Sequence, residues 1–391
     1  MYVLTLNTGS TSVKLAAYDA GASPAQATLL AQDHISIEAR SKDAGTERAV
    51  LERFVATLPQ LKQAQSKMAR PDVVAHRVVH GGTKFSHPVR IDDSVLSEIR
   101  GLSELAPLHN PQAVRWIEAA RAAFGPNVVQ VAAFDTSFFS SLPRVAAEYA
   151  LPPRLGTDIG VRRYGFHGLA HEAMWLRWSE LHPQLSASGR LISLQLGGGA
   201  SIAAIVGGKP RDTSMGFSPL EGLVMATRSG DLDPAVVPYL QHRLGQSGEE
   251  IVGRLNHESG LAGLSGLGEK RGSDFRALLA DGGPSARFAV DLYCYRARKY
   301  IGAYLAVLGG CDGVVFGGGV GEHSPEVRAR ILDGLGWAGI DVSATANAAA
   351  VGTEAGISSP ASRVGVFVIR VDEERMLVAA ARSAVGHAAC P

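Results

Sequence analysis

The chain has 391 residues, 46% of them hydrophobic and 19% charged, and a formal net charge of +1. That length allows two or three domains with separate cores, and the near-neutral balance gives no reason to expect nucleic acid or a membrane surface as a partner. No apolar stretch reaches the ~20 residues of a bilayer span. Cys294, Cys311 and Cys390 lack metal-ligand spacing and read as free thiols. No basic, apolar leader precedes the first strand, so the expected location is the cytoplasm.

The first element is signalled by Leu6-Asn7-Thr8-Gly9-Ser10-Thr11-Ser12-Val13-Lys14, with apolar residues before and after it. This predicts a β-hairpin whose turn carries Asn, Gly and hydroxyl residues. Such a turn lets N–H and hydroxyl groups converge on an anion, and Lys14 adds a positive charge. No Gly-Lys-Ser/Thr follows and no helix opens there, so it is not a P-loop. Taken alone, it also reads as an ordinary polar hairpin. Helical patterns follow at 46–63, 92–106 and 111–124, with strands at 73–79 and 127–134. Residues 140–153 read as a boundary between halves. A helix is expected over 168–181.

Residues 191–205, Leu-Ile-Ser-Leu-Gln-Leu-Gly-Gly-Gly-Ala-Ser-Ile-Ala-Ala-Ile, form a second strand, glycine turn and strand. Laid on the first hairpin, Leu196 falls on Leu6, Gly199 on Gly9 and Ser201 on Thr11. A phosphate-turn hairpin occurring twice suggests a duplicated domain, against the alternative of a chance match. Residues 263–273 read as a mobile surface loop, and 284–308 as a long helix. A third glycine run, Gly317-Gly318-Gly319-Val320-Gly321-Glu322-His323, follows an apolar strand. It leads into Ser324-Pro325-Glu326, the N-cap, N1 proline and first-turn acid of a helix. A strand at 364–369 and a helix at 373–385 complete an α/β alternation.

Polar residues crowd several strand ends and loops, where α/β proteins bind ligands: Arg77 among His76 and His80, Asp135 after Phe134, His167 between glycines, Arg228 before Ser229-Gly230. Singly, the arginines read as structural salt bridges, His167 as a satisfied loop histidine and Asp135 as a helix cap. Together with Lys14 and three glycine turns they describe a phosphoryl-transfer site, which needs positive charge more than covalent help.

Residues 6–14 and 76–82 resemble the two signature stretches of the acetate kinase family. The likeness continues through Leu105-Ala106-Pro107-Leu108-His109-Asn110-Pro111, Phe134-Asp135-Thr136, Tyr164-Gly165-Phe166-His167-Gly168, residues 212–222 and residues 227–234, spanning essentially the whole chain. The resemblance implies the superfamily of sugar kinases, heat-shock ATPases and actin: α/β, with two duplicated ribonuclease-H-like domains and a cleft between them. The expected domains are 1–140 with 374–391, and 141–373. It implies Mg²⁺-dependent, reversible transfer from ATP to acetate, giving ADP and acetyl phosphate by direct in-line attack, in a homodimer with 284–308 as a candidate interface element.

By that resemblance Asn7 and Glu373 hold Mg²⁺ (or Mn²⁺), with Glu374 an adjacent candidate. Lys14, Ser10 and Ser12 face the nucleotide phosphates. Arg77 and Arg228 grip the carboxylate and the phosphoryl group, His167 stabilises its oxygens, His109 lies nearby and Asp135 is catalytic. Gln195, Leu196, Gly197, Gly198, Gly199, Asp274, Phe275, Arg276, Gly319, Val320, Gly321, Glu322 and His323 contact the nucleotide. Val79, Leu108, Phe166 and Pro219 match the pocket for the acyl methyl.

A carboxylic acid of pKa near ~4 is already ionised at neutral pH, so acetate needs no general base, and Asp135 is expected to position rather than deprotonate. Two anions at ~4 Å repel by about 4 kcal/mol at an effective dielectric of ~20, which is why cations are needed. The chain departs from the family pattern at Phe139, Gln195, Gly198, His323 and Asp372, and the 263–273 loop is longer. Most of these fall on the phosphoryl-donor side. Alternatives are a propionate or other short-chain acyl kinase, a pyrophosphate-dependent acetate kinase, and a nucleotide-switched binding protein of the actin or heat-shock type.

Overall fold

The apolar run at the N-terminus becomes the interior strand of a sheet. In a computed structural model, which describes residues 1–9, 12–21, 26–36, 46–58 and 70–386, β1 (Tyr2–Thr8) is buried at every position. The chain divides into two units, Met1–Ser140 with Asp372–Pro391, and Ser141–Val371. The return to the first unit thus comes at Asp372, and Glu373 belongs to the first unit, not to the second as expected.

In the first unit, β1, β2 (Ser12–Asp19), β3 (Thr28–Ser36), β4 (Val73–Val78), β5 (Val89–Arg90) and β6 (Val129–Phe134) form one sheet in the order β3-β2-β1-β4-β6-β5. Helices α1 (Thr46–Ala56), α2 (Asp93–Gly101) and α3 (Asn110–Phe124) supply its cover. Leu51, Phe54, Trp116 and Phe124 pack with Leu4 and Leu6, so even-numbered β1 side chains face this core. Odd-numbered Asn7 therefore points to the other face, where the C-terminal helix Glu373–Gly386 packs on β1, β4 and β6. That alternation puts Asn7 beside Glu373 and Glu374.

In the second unit, β7 (Arg190–Leu196), β8 (Ala200–Val206), β9 (Lys209–Thr213), β10 (Gly313–Gly317), β11 (Ala355–Gly356) and β12 (Gly365–Val368) follow the order β11-β12-β10-β7-β8-β9. Read in reverse, this is the first sheet strand for strand. The antiparallel and parallel pairings also match, β1 with β2 and β4 corresponding to β7 with β8 and β10. The duplication is real, but the residue equivalence shifts. Thr8–Val13 closes the first turn and Leu196–Ala200 the second, so Leu196 corresponds to Thr8 and not to Leu6. Helices α4 (Gly168–Leu181), α5 (Pro284–Leu308), α6 (Gly318–His323) and α7 (Pro325–Leu332) belong to this unit.

Two expectations are corrected here. Residues 263–273 are not an irregular loop: Gly260–Ser265 and Glu269–Gly272 are short helices, with Leu261, Ala262 and Gly272 buried. The third glycine run is itself helical, as α6, because Gly318 takes a φ of 76° that turns the chain directly out of β10. Of the helix expected at 46–63, the part beyond residue 58 lies outside the described residues, as do Ser10 and Cys390. Cys294 and Cys311 are buried thiols, whose pKa values burial pushes up to about 12. Among the described residues, no helix is long and apolar enough to cross a membrane.

Candidate active site

The first unit gathers its charges around Arg77, the penultimate residue of β4. Its Nε donates to Asp135 Oδ1 at 2.9 Å and its Nη2 to Asp135 Oδ2 at 2.7 Å, a bidentate pair. Its Nη1 donates to Asn7 Oδ1 and to Glu373 Oε2, both at 3.0 Å. The Asn7 amide donates to Glu373 Oε2 at 2.8 Å and Glu374 Oε1 at 3.0 Å, and Lys14 Nζ lies 3.2 Å from Glu374 Oε1. Parallel pairing of β4 with β6 sets Val78 beside Phe134, so Asp135 emerges next to Arg77. Burial alone would lower the guanidinium's pKa, but the carboxylates of Asp135 and Glu373 hold it above its ordinary value. Arg77 is thus the hub of this cluster, engaged by residues of its own unit.

The segment after Arg77 is pinned by Asn110, whose Oδ1 accepts from the His80 N–H at 3.1 Å and whose amide donates to the His80 carbonyl at 3.0 Å. Val79 is buried just beyond β4, Leu108 is half exposed, and His109 occupies the N-cap position of α3. The Ser12 hydroxyl lies 2.9 Å from His34 Nε2.

In the second unit His167, at the N-cap of α4, is the one non-glycine of positive φ among the described residues, at 57°. A strained backbone of this kind costs of order 1–3 kcal/mol, and it persists where the surroundings fix a side chain for use. Nδ1 of His167 lies 2.9 Å from the Ser201 hydroxyl, which is 2.8 Å from His171 Nε2; His171 Nδ1 lies 2.7 Å from the Ser193 hydroxyl. Burial lowers the His171 pKa to about 3, so this imidazole stays neutral and can donate to one serine while accepting from the other.

Arg228 Nη1 donates to the Pro219 carbonyl at 3.2 Å, and among the described residues no carboxylate pairs with it. Burial lowers its pKa from the ordinary value. A Cβ on Gly199 would lie 3.2 Å from His167 Nε2 and 3.6 Å from Arg228 Nη1, so imidazole, guanidinium and bare backbone converge. An unneutralised cation beside a fixed imidazole suits an anion that gains charge in a transition state. Phe166 is fully buried and Pro219 lies in the loop that carries Arg228.

The expected nucleotide contacts divide. Gly197 N–H donates to the Gly199 carbonyl at 2.9 Å, and the Gly198 carbonyl accepts from Ala226 N–H at 3.1 Å, which ties this turn to the Arg228 loop. Gln195 adjoins Gly318, and its Oε1 is buried without a hydrogen-bond partner among the described residues. Asp274 caps the helix Phe275–Asp281 and pairs with exposed Arg276. Three of these residues have contacts within the fold. Leu196 is core, Phe275 packs edge-on against Tyr293 at 4.8 Å, and Glu322 accepts from the N–H groups of Gly318 at 3.1 Å and Val371 at 3.0 Å. His323 Nδ1 lies 3.1 Å from the Gly319 carbonyl, while Val320 and Gly321 are internal to α6.

A sequence model of the acetokinase family matches residues 2–379. This chain belongs to the acetokinase family. An acetate kinase of Solibacter usitatus is 46% identical over 304 residues, 78% of this chain and 73% of that protein. One from Bacillus cereus (strain ATCC 14579) is 47% identical over 307 residues, 78% and 76% of the two chains. The crystal structure of Porphyromonas gingivalis acetate kinase matches with a TM-score of 0.86 at 34% identity, covering 98% of this chain and 99% of that one. A propionate kinase from Francisella tularensis matches with a TM-score of 0.85 at 32% identity, with the same coverage. As an acetokinase-family member the chain is an enzyme, a phosphotransferase.

Sequence reasoning left Glu374 as a mere alternative, although it binds both Asn7 and Lys14. It also missed Arg328, fully buried and bonded to Asn347 and to the carbonyls of Gly321 and Ala350. The signal was its spacing, three and four residues before apolar Ile331 and Leu332 on one helical face. For a divalent cation, the cluster offers hard oxygens from Asn7, Glu373, Glu374 and Asp135, with a surplus of carboxylates over cations. Among the described residues no three His, Cys, Asp or Glu side chains form a ready metal cage. The hard oxygens are of the kind Mg²⁺ takes, through one or two carboxylates plus water and phosphate oxygens.

Proposed function

We propose that this chain transfers the γ-phosphoryl group of ATP to acetate, reversibly and by direct in-line attack, with Mg²⁺ as the resident cation. The observation that carries the reading is Arg228: a largely buried guanidinium without a carboxylate partner among the described residues, beside His167 and the open backbone of Gly199. Arg228 and His167 would hold the transferring phosphoryl oxygens. Ser201, itself bonded to His171, would hold the direction of the imidazole. In the first unit Asp135 orients Arg77, which would meet the acetate carboxylate, and no base is required because acetate is already ionised. Asn7, Glu373 and Glu374 would hold Mg²⁺, whose charge offsets that of the phosphates. In the second unit Gly197–Gly199 and α6 would receive the nucleotide. A homodimer in the cytoplasm is part of the same reading.

Propionate is a second acceptor to consider, because the Francisella propionate kinase shares the fold at 32% identity. Val79, buried and β-branched, would wall the acyl site, where an added methylene is a misfit worth about 1–3 kcal/mol. Acyl hydroxamate formation from ATP should be strong with acetate, weaker with propionate, and abolished by EDTA. Product from pyrophosphate and none from ATP, or equal rates without a divalent cation, would overturn this reading.

A further inference from the structure

Residues 214–231 carry both Pro219 and Arg228, yet they form neither helix nor strand. Backbone without a regular ladder must be fixed by other partners. Two carboxylates do this work. Glu221 Oε1 accepts from Arg163 Nη2 at 2.6 Å, and Glu221 Oε2 accepts from the Tyr149 hydroxyl. That hydroxyl accepts from the Phe217 N–H at 2.8 Å, and Arg163 Nη1 donates to the carbonyls of Thr213 and Ser214. Asp231 Oδ1 accepts from the Gly222 N–H at 2.9 Å, and its Oδ2 accepts from the Tyr300 hydroxyl of α5 at 2.9 Å.

The same contacts have a second effect. Glu221 and Asp231 lie seven and three residues from Arg228 in sequence, and each is a carboxylate that could pair with a guanidinium. Neither does. The Arg228 guanidinium donates to the Pro219 carbonyl instead. Burial, with Glu221 beside it, raises the Tyr149 hydroxyl above its ordinary value, so it remains a donor to the carboxylate. The Arg163 guanidinium also lies over the Tyr149 ring, 5.6 Å from its centroid, which joins the two holders of Glu221 into one unit.

We propose that Tyr149, Arg163 and Tyr300 are positioning residues that hold Glu221 and Asp231 away from Arg228, keeping its guanidinium unneutralised for the anionic substrate. The proposal rests on the phosphoryl-binding reading of Arg228. Tyr149→Phe and Tyr300→Phe each remove one hydroxyl and keep the ring. Each should lower kcat about tenfold, since small misplacement of a charged group is costly, with a loss of stability from the missing hydroxyl that lowers the unfolding midpoint. In an Arg228→Ala background the same substitutions should cost less than about twofold, because there is no guanidinium left to neutralise. Equal losses in both backgrounds, or full kcat in both folded single variants, would overturn the proposal. Full turnover in Arg228→Ala alone would overturn the reading on which it rests. Should Tyr149→Phe fail to fold, Tyr300→Phe carries the comparison.

Discussion

Arg77 and Arg228 look alike in sequence, each an arginine in a polar run after an apolar stretch. Their surroundings set them apart. Arg77 is bound by Asp135, Asn7 and Glu373, whereas Arg228 faces a carbonyl and has no carboxylate partner among the described residues. Arg228→Ala should therefore lower kcat by about 10²–10³ with little change in unfolding midpoint. Arg77→Ala should lower turnover too, but it also strands the buried Asp135 carboxylate and the partly buried Glu373, at a cost of about 3–5 kcal/mol. Paired measurements of kcat and urea unfolding separate these outcomes; equal stability of the two variants would contradict the hub role of Arg77. Residue types and strand-end positions made the arginines, His167 and Asp135 legible as candidates. The relay from His167 through Ser201 and His171 was not, because its members meet only through the pairing of β7 with β8 and the pitch of α4.

At the scale of elements, capping and periodicity were informative where both were present. Helices α4 and α5 run over the residues the pattern indicates, α5 opening on Pro284 and closing before Gly309, which takes a left-handed φ of 67°. The 263–273 segment was misread because its glycines suggest a loop, while tertiary packing of Leu261 and Ala262 makes short helices over 260–272. Strands β5 and β11, two residues each, are too short to carry a period. The Arg228 loop gives a sharp test of local fit. A Cβ on Gly216 would lie 1.6 Å from Glu221 Oε2 and 2.1 Å from the Tyr149 oxygen. Gly216→Ala should displace this clasp, lowering stability by about 1–3 kcal/mol and kcat with it. A Cβ on Gly302 in α5 would meet nothing within 4 Å, so Gly302→Ala should stabilise by about 0.5–1 kcal/mol. A Gly216→Ala enzyme as stable and active as the parent would show that the loop is not closed this way.

At the scale of the whole molecule, the repeated hairpin was enough to suggest duplication, and the matching strand orders extend it to every strand of both sheets. The fold also predicts a response to acid. Burial lowers His76 and His80 to about 4 and His171 to about 3, against 6.5 when unfolded. The unfolded chain then binds more protons than the folded one between pH 6.5 and 4, so stability is full above that window and falls as pH falls through it. Each histidine contributes about 1.4 kcal/mol per pH unit. Urea midpoints at about pH 7.5 and about pH 5, on either side of the upper limit of that window, should differ accordingly. Identical midpoints would mean that these imidazoles are not held neutral.

The central claim is transfer of a phosphoryl group from ATP to acetate, and the most direct measurement is the stoichiometry of its products. Acetyl phosphate and ADP should appear in a one-to-one ratio, and ADP release should vanish when acetate is omitted. ADP formed at the same rate without acetate, or without any acetyl phosphate, would contradict the account.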